Sequence, residues 1–391
     1  ASSAYVVGAT GEGITIAVVD EALDWGHHEF LKEGILHPDS ILTYSGNREP
    51  TPWEKFHGTA TTSIIAARRD AKNIPSNMQG VAYESTILFI ATELGEPPAD
   101  GDYIPTTIQK YDWSYYDQTE ANLYNDLSSK AEIVNNSFGY TGTITDYTQD
   151  QLSSAFPKTI ERISQPNVLD ENKTLFVWAA GNTGQYADQG ADYSSPDVFP
   201  GMAYYLTELQ GHSLAVVSVD EDGVISDFSN RCGVARDFCL AAPGEGIVVA
   251  YPTSVTDSGI YESTDSCVLD NSCYVVGGGT SYAAPFVSGG VALLAEHFGN
   301  QLGNTEILQR VLMTADKSGI YADQSIYGQG LMDLEAASKP VGSTMVATSM
   351  SLDSNLYSVI SSSMSQIGSV AGDGLINAIG NKGLVVFDQL G

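Results

Sequence analysis

Five short segments of the chain are almost continuously apolar, and they lie at intervals between residues 14 and 220. They are ITIAVVD (14–20), ILFIATE (87–93), AEIVNNSFG (131–139), TLFVWAAGN (174–182) and SLAVVSVD (213–220). Apolar runs of this length are typical of strands covered on both faces. Helical patterns lie between or after them, at 57–69, 121–130, 150–164, 281–298 and 305–315. This alternation predicts an α/β fold, a mostly parallel sheet flanked by helices on both faces.

The pattern is uneven in two places. Residues 94–120 are rich in Pro, Asp and Tyr, which predicts a surface insertion. Residues 340–391 are rich in Ser, Gly and Met, and they show weak apolar alternation until LVVFDQL, a candidate terminal strand. We therefore predict a main domain over 1–339 and a C-terminal extension or linker over 340–391 that contributes little to the main core.

Charge and hydropathy exclude several classes of function. The chain has 391 residues, enough for a full core, and carries 48 acidic against 17 basic residues for a net charge of −31. We therefore expect no nucleic-acid ligand, since phosphates would be repelled. No apolar run approaches the roughly 18 residues of a membrane span, and no signal-peptide pattern opens the sequence. We expect a domain outside the membrane from which any signal peptide or pro-segment has been removed.

The four cysteines form two close pairs, Cys232 with Cys239 and Cys267 with Cys273. Four cysteines allow three connectivities, and local pairing closes the smallest loops. No pair has the CxxC spacing of a zinc or redox site. We predict two local structural disulfides, as in an exported protein, with free buried thiols as the alternative.

Five residues suited to catalysis fall at one edge of the predicted sheet. Asp20, Ser137 and Asn182 lie at or near strand ends, whereas His57 and Ser281 open helices. Ligands of open α/β sheets bind outside the carboxyl ends of the strands. Taken singly, each residue has an ordinary explanation as a strand end, a cap or a turn residue. Their coincidence at one edge favours an active site.

Ser281 lies in GGGTSYAAPFVSGGVALL (277–294), where three glycines precede an apolar helical run. The glycines suggest a close backbone approach or positive φ angles. Ser281 is then either the N-cap of the helix or a nucleophile that needs a base, an acid and an oxyanion donor. His27 and His28 near Asp24 suggest a metal site, but no second ligand cluster accompanies them, so we expect no catalytic metal.

Four motifs together resemble the subtilisin-like serine proteases: VVDEALD, HGTATTSIIA, FVWAAGN and GTSYAAPFVSG. The order Asp20, His57, Ser281 is that of subtilisin. The resemblance spans roughly residues 1–338, the predicted catalytic domain, and ends in GQGLMDLEAA. It implies a secreted serine endopeptidase with a subtilisin-like fold, whose triad of Asp20, His57 and Ser281 forms an acyl-enzyme and whose Asn182 binds the oxyanion. It implies no cofactor for catalysis.

The resemblance also implies a substrate site for proteins or peptides. The backbone of Ser137, Phe138 and Gly139 would pair with substrate, and Ala179, Ala180 and Gly181 would line the S1 pocket. Such small residues imply room for a large apolar P1 side chain.

A narrower resemblance is carried by FSNRCGVARDFCLAAPGEGI and the C-terminal GLVVFDQLG. Both resemble the passenger domains of autotransporter subtilases of Gram-negative bacteria. This implies a protein secreted or held at the cell surface, with a linker that leads to an outer-membrane β-barrel. A freely secreted homologue without a barrel is the alternative. We expect the mature domain to be a monomer.

Two departures from the family pattern affect the chemistry. Glu21 and Ala22 follow Asp20, where the family has Thr-Gly or Ser-Gly, and the extra carboxylate should raise the pKa of His57. The segment RRDAKNIPSNMQG (68–80) does not resemble the family's calcium loop, so structural calcium has no support from a recognisable loop.

Two other classes of function compete with the protease. An α/β-hydrolase esterase would need G-x-S-x-G, but Ala283 stands two residues after Ser281 and the acid precedes the histidine. A catalytically inactive adhesin or scaffold on the same fold is the second alternative, because a fold does not prove a function.

Overall fold

A computed structural model of the chain describes residues 8–32, 35–36, 54–69, 78–91, 113–140, 142–164, 174–252, 273–342, 345–347, 364–366 and 386–388. The strands are β1 (Thr15–Asp20), β2 (Leu31–Lys32), β3 (Ile35–Leu36), β4 (Thr86–Ala91), β5 (Ile133–Asn136), β6 (Leu175–Ala179), β7 (Ser213–Val219), β8 (Cys239–Pro243), β9 (Ile247–Tyr251), β10 (Cys273–Gly277), β11 (Met345–Ala347), β12 (Met364–Gln366) and β13 (Val386–Phe387). Six of them form a parallel sheet in the order β4-β1-β5-β6-β7-β8.

The α-helices are α1 (Lys55–Ala66), α2 (Trp113–Ser128), α3 (Gln149–Ala155), α4 (Pro157–Ser164), α5 (Val198–Gly201), α6 (Thr280–Phe298), α7 (Asn304–Thr314), α8 (Gln324–Tyr327) and α9 (Leu334–Ala337). Short 3-10 turns join several of them. Within the described residues, no helix combines the length and the hydropathy that crossing a bilayer requires.

Both faces of the sheet are covered, which explains why its strands lack polar alternation. In β1, Ile16 and Val18 face one hydrophobic cluster, which includes residues of α6 and α7. The intervening Ala17 and Val19 face a second cluster, which includes residues of α2, α3 and α4. The fold is therefore the predicted α/β arrangement with helices on both faces.

The five apolar segments are β1, β4, β5, β6 and β7, as predicted, while three elements differ from the expectation. The helical pattern at 150–164 is two helices, because α3 ends before Phe156 and Pro157 begins α4. The end of the proposed insertion at 94–120 is helical, since α2 begins at Trp113. Residues 92–112 lie outside the described part of the chain. Strand β8, which the sequence reading missed, forms one edge of the sheet.

The cysteine prediction is confirmed for the first pair. Cys232 and Cys239 form a disulfide across one 3-10 turn, at the edge where β8 begins. Cys273, the first residue of β10, is also disulfide-bonded. Cys267 lies outside the described residues, so its pairing with Cys273 stays a prediction.

The C-terminal extension contacts the main domain through Asp388, while the expectation that it contributes little to the main core stays a prediction. Asp388 lies just after β13, and its Oδ2 atom is 2.5 Å from Nη2 of Arg310 in α7. Both side chains are at least 95% buried. The same Oδ2 accepts a hydrogen bond from the Val341 backbone at 2.7 Å. Arg310 also donates to the carbonyl of Lys339 at 2.9 Å and lies over the ring of Phe298.

We expect Asp388→Ala to lower the free energy of unfolding by about 3 kcal/mol, because it leaves the buried Arg310 guanidinium without its counter-ion. Thermal and chemical denaturation would measure this. Glu335→Ala is the matched control, since its contact with Lys339 is on the surface, with side chains 59% and 62% exposed. Equal stability of the two variants would show that the extension is not part of the folded domain.

Candidate active site

The sheet topology brings the predicted site residues to one edge. Strand β1 ends at Asp20, β5 ends one residue before Ser137, and β6 ends three residues before Asn182. These three strands are neighbours, and the chain crosses from one side of β1 to the other between β4 and β5. Such a reversal of strand order opens a crevice at the carboxyl ends of the strands. Helices α1 and α6, which carry His57 and Ser281 in their first turns, pack against each other there.

Asp20 and His57 form a close pair. His57 Nδ1 lies 2.8 Å from Asp20 Oδ1, an oxygen that also accepts the backbone N–H of Glu21 at 2.8 Å. The other oxygen accepts the Thr61 hydroxyl at 2.9 Å. Asp20 is buried, whereas the His57 side chain is 29% exposed. The carboxylate thus fixes the ring through Nδ1 and leaves Nε2 for proton transfer.

The pKa of His57 is raised to about 9. Desolvation by burial lowers it, but the charge of Asp20, the hydrogen bond to Asp20 and the charge of Glu21 outweigh that effect. Glu21 therefore acts in the direction predicted from the sequence. Because a general base must be neutral, the base form of His57 predominates only above about pH 9.

Ser281 is not the N-cap of its helix. Gly279 holds that position, and Tyr282 N donates to its carbonyl at 2.9 Å, so Ser281 lies inside the first turn. Gly279 has an extended φ of 167°, and none of Gly277, Gly278 and Gly279 takes a positive-φ turn conformation. The glycines instead permit close packing: a Cβ on Gly277 would lie 2.9 Å from the Tyr282 ring.

The carbonyl of Ser281 has an unusual partner. Four residues along α6 stands Pro285, which has no N–H to donate to that carbonyl. The Ser137 hydroxyl donates to it instead, at 2.9 Å. Ser137 Oγ in turn accepts a hydrogen bond from Asn135 Nδ2 at 2.9 Å, and Asn135 Oδ1 accepts one from Ser288 Oγ at 2.9 Å. This buried chain of hydrogen bonds ties the start of α6 to the end of β5.

Asn182 is held in one orientation beside Ser281. Its Oδ1 accepts hydrogen bonds from Thr280 N at 2.9 Å and from Thr280 Oγ1 at 3.0 Å. Because these two hydrogen bonds hold the amide oxygen, they also fix the orientation of the amide nitrogen, Nδ2. A Cβ built on Gly279 would lie 3.6 Å from both Asn182 Nδ2 and Ser281 N. The Asn182 amide nitrogen and the Ser281 backbone nitrogen therefore lie on the same side of Gly279, where the absence of a side chain leaves space.

The two predicted substrate segments lie at the carboxyl ends of the adjacent strands β5 and β6. Ser137, Phe138 and Gly139 follow β5, while Ala179 ends β6 and is followed by Ala180 and Gly181. A Cβ built on Gly139 or Gly181 would lie within 3.0 Å of the Asp197 carboxyl group, so a polar group borders both segments. The expected apolar S1 pocket therefore stays a prediction, and the group nearest to the space beside the two glycines is a carboxyl group.

Sequence reasoning missed several residues that position the site. Thr61 and Thr280 lie inside the motifs HGTATTSIIA and GTSYAAPFVSG. Their position in these motifs could have marked them as residues of the site. Asn135 and Ser288 also lie in quoted segments, but their roles, like that of Asp197, depend on contacts between distant segments that the sequence does not show.

Within the described residues, no group of three or more His, Cys, Asp or Glu side chains is arranged to hold a metal ion. His27 Nε2 lies 2.9 Å from the Cys273 carbonyl, a structural contact. Of the segment compared with a calcium loop, residues 70–77 lie outside the described part of the chain.

The sequence matches the subtilase family over residues 11–330. The chain belongs to this family of serine endopeptidases. It is 25% identical over 383 residues to an extracellular serine protease of Serratia marcescens, covering 86% of this chain and 32% of the relative. It is 22% identical over 219 residues to the autotransporter lipoprotein NalP of Neisseria meningitidis, covering 52% of this chain and 18% of the relative. The chain thus spans about a third of the Serratia relative.

A comparison with solved structures agrees with the fold. The crystal structure of MycP1 from Mycobacterium smegmatis superimposes with a TM-score of 0.58 at 21% sequence identity, covering 86% of this chain and 82% of that one. At this identity the likeness concerns the fold alone.

We expect Glu21→Gln to move the acid limb of the pH profile of kcat/KM to lower pH. Removing this carboxylate takes away one of the charges that raise the pKa of His57, so the neutral base forms at lower pH. Peptide hydrolysis between pH 6 and 10 would measure the limb.

Glu208→Gln is the control for the change in net charge. Glu208 is exposed and precedes the amino end of β7, whereas Asp20 and Glu21 lie at the carboxyl end of β1, a strand parallel to β7 in the same sheet. If both variants shift the limb equally, or neither shifts it, Glu21 does not act on His57.

Proposed function

We propose that this subtilase is a secreted endopeptidase that hydrolyses peptide bonds of protein substrates through Asp20, His57 and Ser281. The observation that carries the proposal is the space beside Gly279, which Asn182 Nδ2 and Ser281 N border at equal distance. Two nitrogen donors on the same side of Gly279, one of them the backbone N–H of the serine itself, are suited to binding an oxyanion.

In this mechanism Ser281 Oγ attacks the carbonyl carbon of the scissile bond while His57 Nε2 accepts its proton. Asp20 holds the imidazole through Nδ1 and stabilises the imidazolium that forms. The tetrahedral intermediate collapses as His57 gives the proton to the leaving amine. A water molecule then attacks the acyl-enzyme, with His57 again as the base, and releases the second product.

The oxyanion of each tetrahedral intermediate would accept hydrogen bonds from Asn182 Nδ2 and Ser281 N. Ser281 N stands in the first turn of α6, a 19-residue helix, so the positive end of the helix dipole supports the same charge. The hydrogen bonds from Thr280 to Asn182 Oδ1 fix the amide before the reaction, and no reorientation is needed when charge develops.

Several observations weigh against the two competing functions. A buried carboxylate that holds Nδ1 of a partly exposed histidine is the arrangement of a general base, which favours an enzyme over an inactive scaffold. An esterase of the α/β-hydrolase class would present its serine on G-x-S-x-G, whereas Ala283 stands in place of the second glycine here.

For the whole protein we propose secretion or display at the surface of a Gram-negative bacterium, with protein or peptide substrates and no nucleic-acid partner. The disulfide between Cys232 and Cys239 suits an oxidising compartment. The named activities and locations of the relatives support this in outline. We propose a monomeric catalytic domain over 1–339 and an extension over 340–391 that returns to the domain through Asp388.

We expect Ser281→Ala to lower kcat by about 10⁶-fold, the loss that removing this nucleophile causes in subtilisin. His57→Ala should lose about as much, and the double variant little more, because the residues act as a unit. A chromogenic peptide would report activity, and thermal unfolding would report folding. A well-folded Ser281→Ala variant with near wild-type turnover would contradict the proposal.

We expect Asn182→Ala to lower kcat by about 10²–10³-fold, as loss of the equivalent donor does in subtilisin, with little change in KM. Gln185→Ala is the control, since Gln185 is an exposed amide on the same 3-10 turn. An effect mainly on KM, or equal effects of the two variants, would mean that Asn182 does not bind the oxyanion.

A further inference from the structure

The carboxyl group of Asp197 occupies the crevice between the two substrate segments. A Cβ built on Gly181 would lie 2.4 Å from Asp197 Oδ2, and a Cβ built on Gly139 would lie 3.0 Å from the same oxygen. The backbone fixes this position, because Asp197 N donates to the Ala180 carbonyl at 2.9 Å and Asp197 forms a β-bridge with Thr143. The carboxylate therefore lies against the inner sides of both segments.

Asp197 does not do what an aspartate at this position normally does. It is the N-cap of α5, where a side-chain oxygen usually accepts a backbone N–H of the helix, but no such hydrogen bond is present. Its side chain turns away and accepts a hydrogen bond from Asn230 Nδ2 on Oδ1 at 2.8 Å, with the Thr183 hydroxyl 3.5 Å from the same atom. The side chain is oriented towards the crevice at the expense of a cap.

The second oxygen of Asp197 has no donor among the described residues. The residue is 93% buried, since only 7% of its surface is exposed. Oδ2 is nevertheless not among the side-chain oxygens that are sealed from solvent without a partner. No Lys, Arg or His of the described residues forms an ion pair with it. A buried carboxylate that keeps one accessible, unbonded oxygen is incomplete without a cation or a donor from outside.

We propose that Asp197 is the floor of the S1 pocket and that it selects substrates with lysine or arginine at P1. The proposal rests on the proposed function, in which the P1 side chain enters between Ser137–Gly139 and Ala179–Gly181. A long side chain with a terminal cation passes the small Gly139 and Gly181 and reaches Oδ2, where it donates a charge-assisted hydrogen bond. Asp197 is thus a specificity-determining residue that takes no part in the reaction itself.

The electrostatics of the pocket agree with this role. Desolvation raises the pKa of Asp197 to about 7, against the lowering effect of its hydrogen bonds to Asn230 and Thr183. The residues that face it, Gly139, Gly181, Thr183 and Asn230, are all uncharged. An acid with a raised pKa is ionised above that value, so the preference for a P1 cation should strengthen as the pH rises through about 7.

The first test compares four chromogenic peptides that differ only in P1: Lys, Arg, Met and Phe. At pH 8 we expect kcat/KM for Lys or Arg to exceed that for Met by about 10–100-fold, the effect of a hydrogen bond to a charged group. Asp197→Asn keeps the shape and the acceptor for Asn230, and it should reduce the ratio to near one. Asp188→Asn, an exposed site on a neighbouring turn, should leave the ratio unchanged.

The ratio of kcat/KM for Lys over Met should also rise between pH 6 and 8 in the wild type and stay flat in Asp197→Asn. Titration of His57 affects both peptides equally and cancels in this ratio. Preferred cleavage after Phe by the wild type, with an unchanged profile in Asp197→Asn, would overturn the proposal while leaving the protease function intact.

The second test does not depend on catalysis. Benzamidine, a small aromatic cation, should bind to the Ser281→Ala variant in calorimetry and bind at least tenfold more weakly when Asp197→Asn is added. Equal binding to both would overturn the proposal. If the wild type cleaves none of the four peptides and resists labelling by a serine-directed fluorophosphonate, the proposed function fails, whatever the benzamidine result.

Discussion

The site depends on the contact that joins the first turn of α6 to the end of β5. Pro285 removes the N–H that would bind the Ser281 carbonyl within the helix, and the Ser137 hydroxyl supplies a donor from the neighbouring segment. The Ser281 carbonyl, which lacks its helical partner, is thus hydrogen-bonded to the segment proposed to bind substrate. Because Asn135 and Ser288 continue the link inside the core, the position of the serine is set by the sheet and not by a loop.

The sequence was sufficient to predict the sheet and most of the candidate site, for a physical reason. Strands covered on both faces must be apolar throughout, so polar residues such as Asp20 and Ser137 stand out where those strands end. Prediction failed where the outcome depends on contacts between distant segments. Nothing near Asp388 in the sequence points to Arg310, and nothing near Asp197 points to Gly139 and Gly181.

A comparison of Asp20 with Asp197 explains why one buried aspartate is assigned to the triad and the other to specificity. Asp20 accepts hydrogen bonds from His57, Thr61 and the Glu21 backbone, which engage both of its oxygens. Asp197 accepts from Asn230 and, at the limit of distance, from Thr183, both on one oxygen. In a chain with a net charge of −31, a buried carboxylate without a cationic partner, such as that of Asp197, has no electrostatic benefit to folding by itself.

A carboxylate in this position is therefore retained at a cost to stability, and such costs are expected where function requires them. The same reasoning connects Glu21 with Asp197. Glu21 adds negative charge beside His57, and Asp197 adds it beneath the proposed S1 pocket, so both make a cationic substrate more favourable at the site. In so acidic a protein, the proposed selectivity for a cationic P1 residue rests on the local placement of these two groups and not on the overall charge.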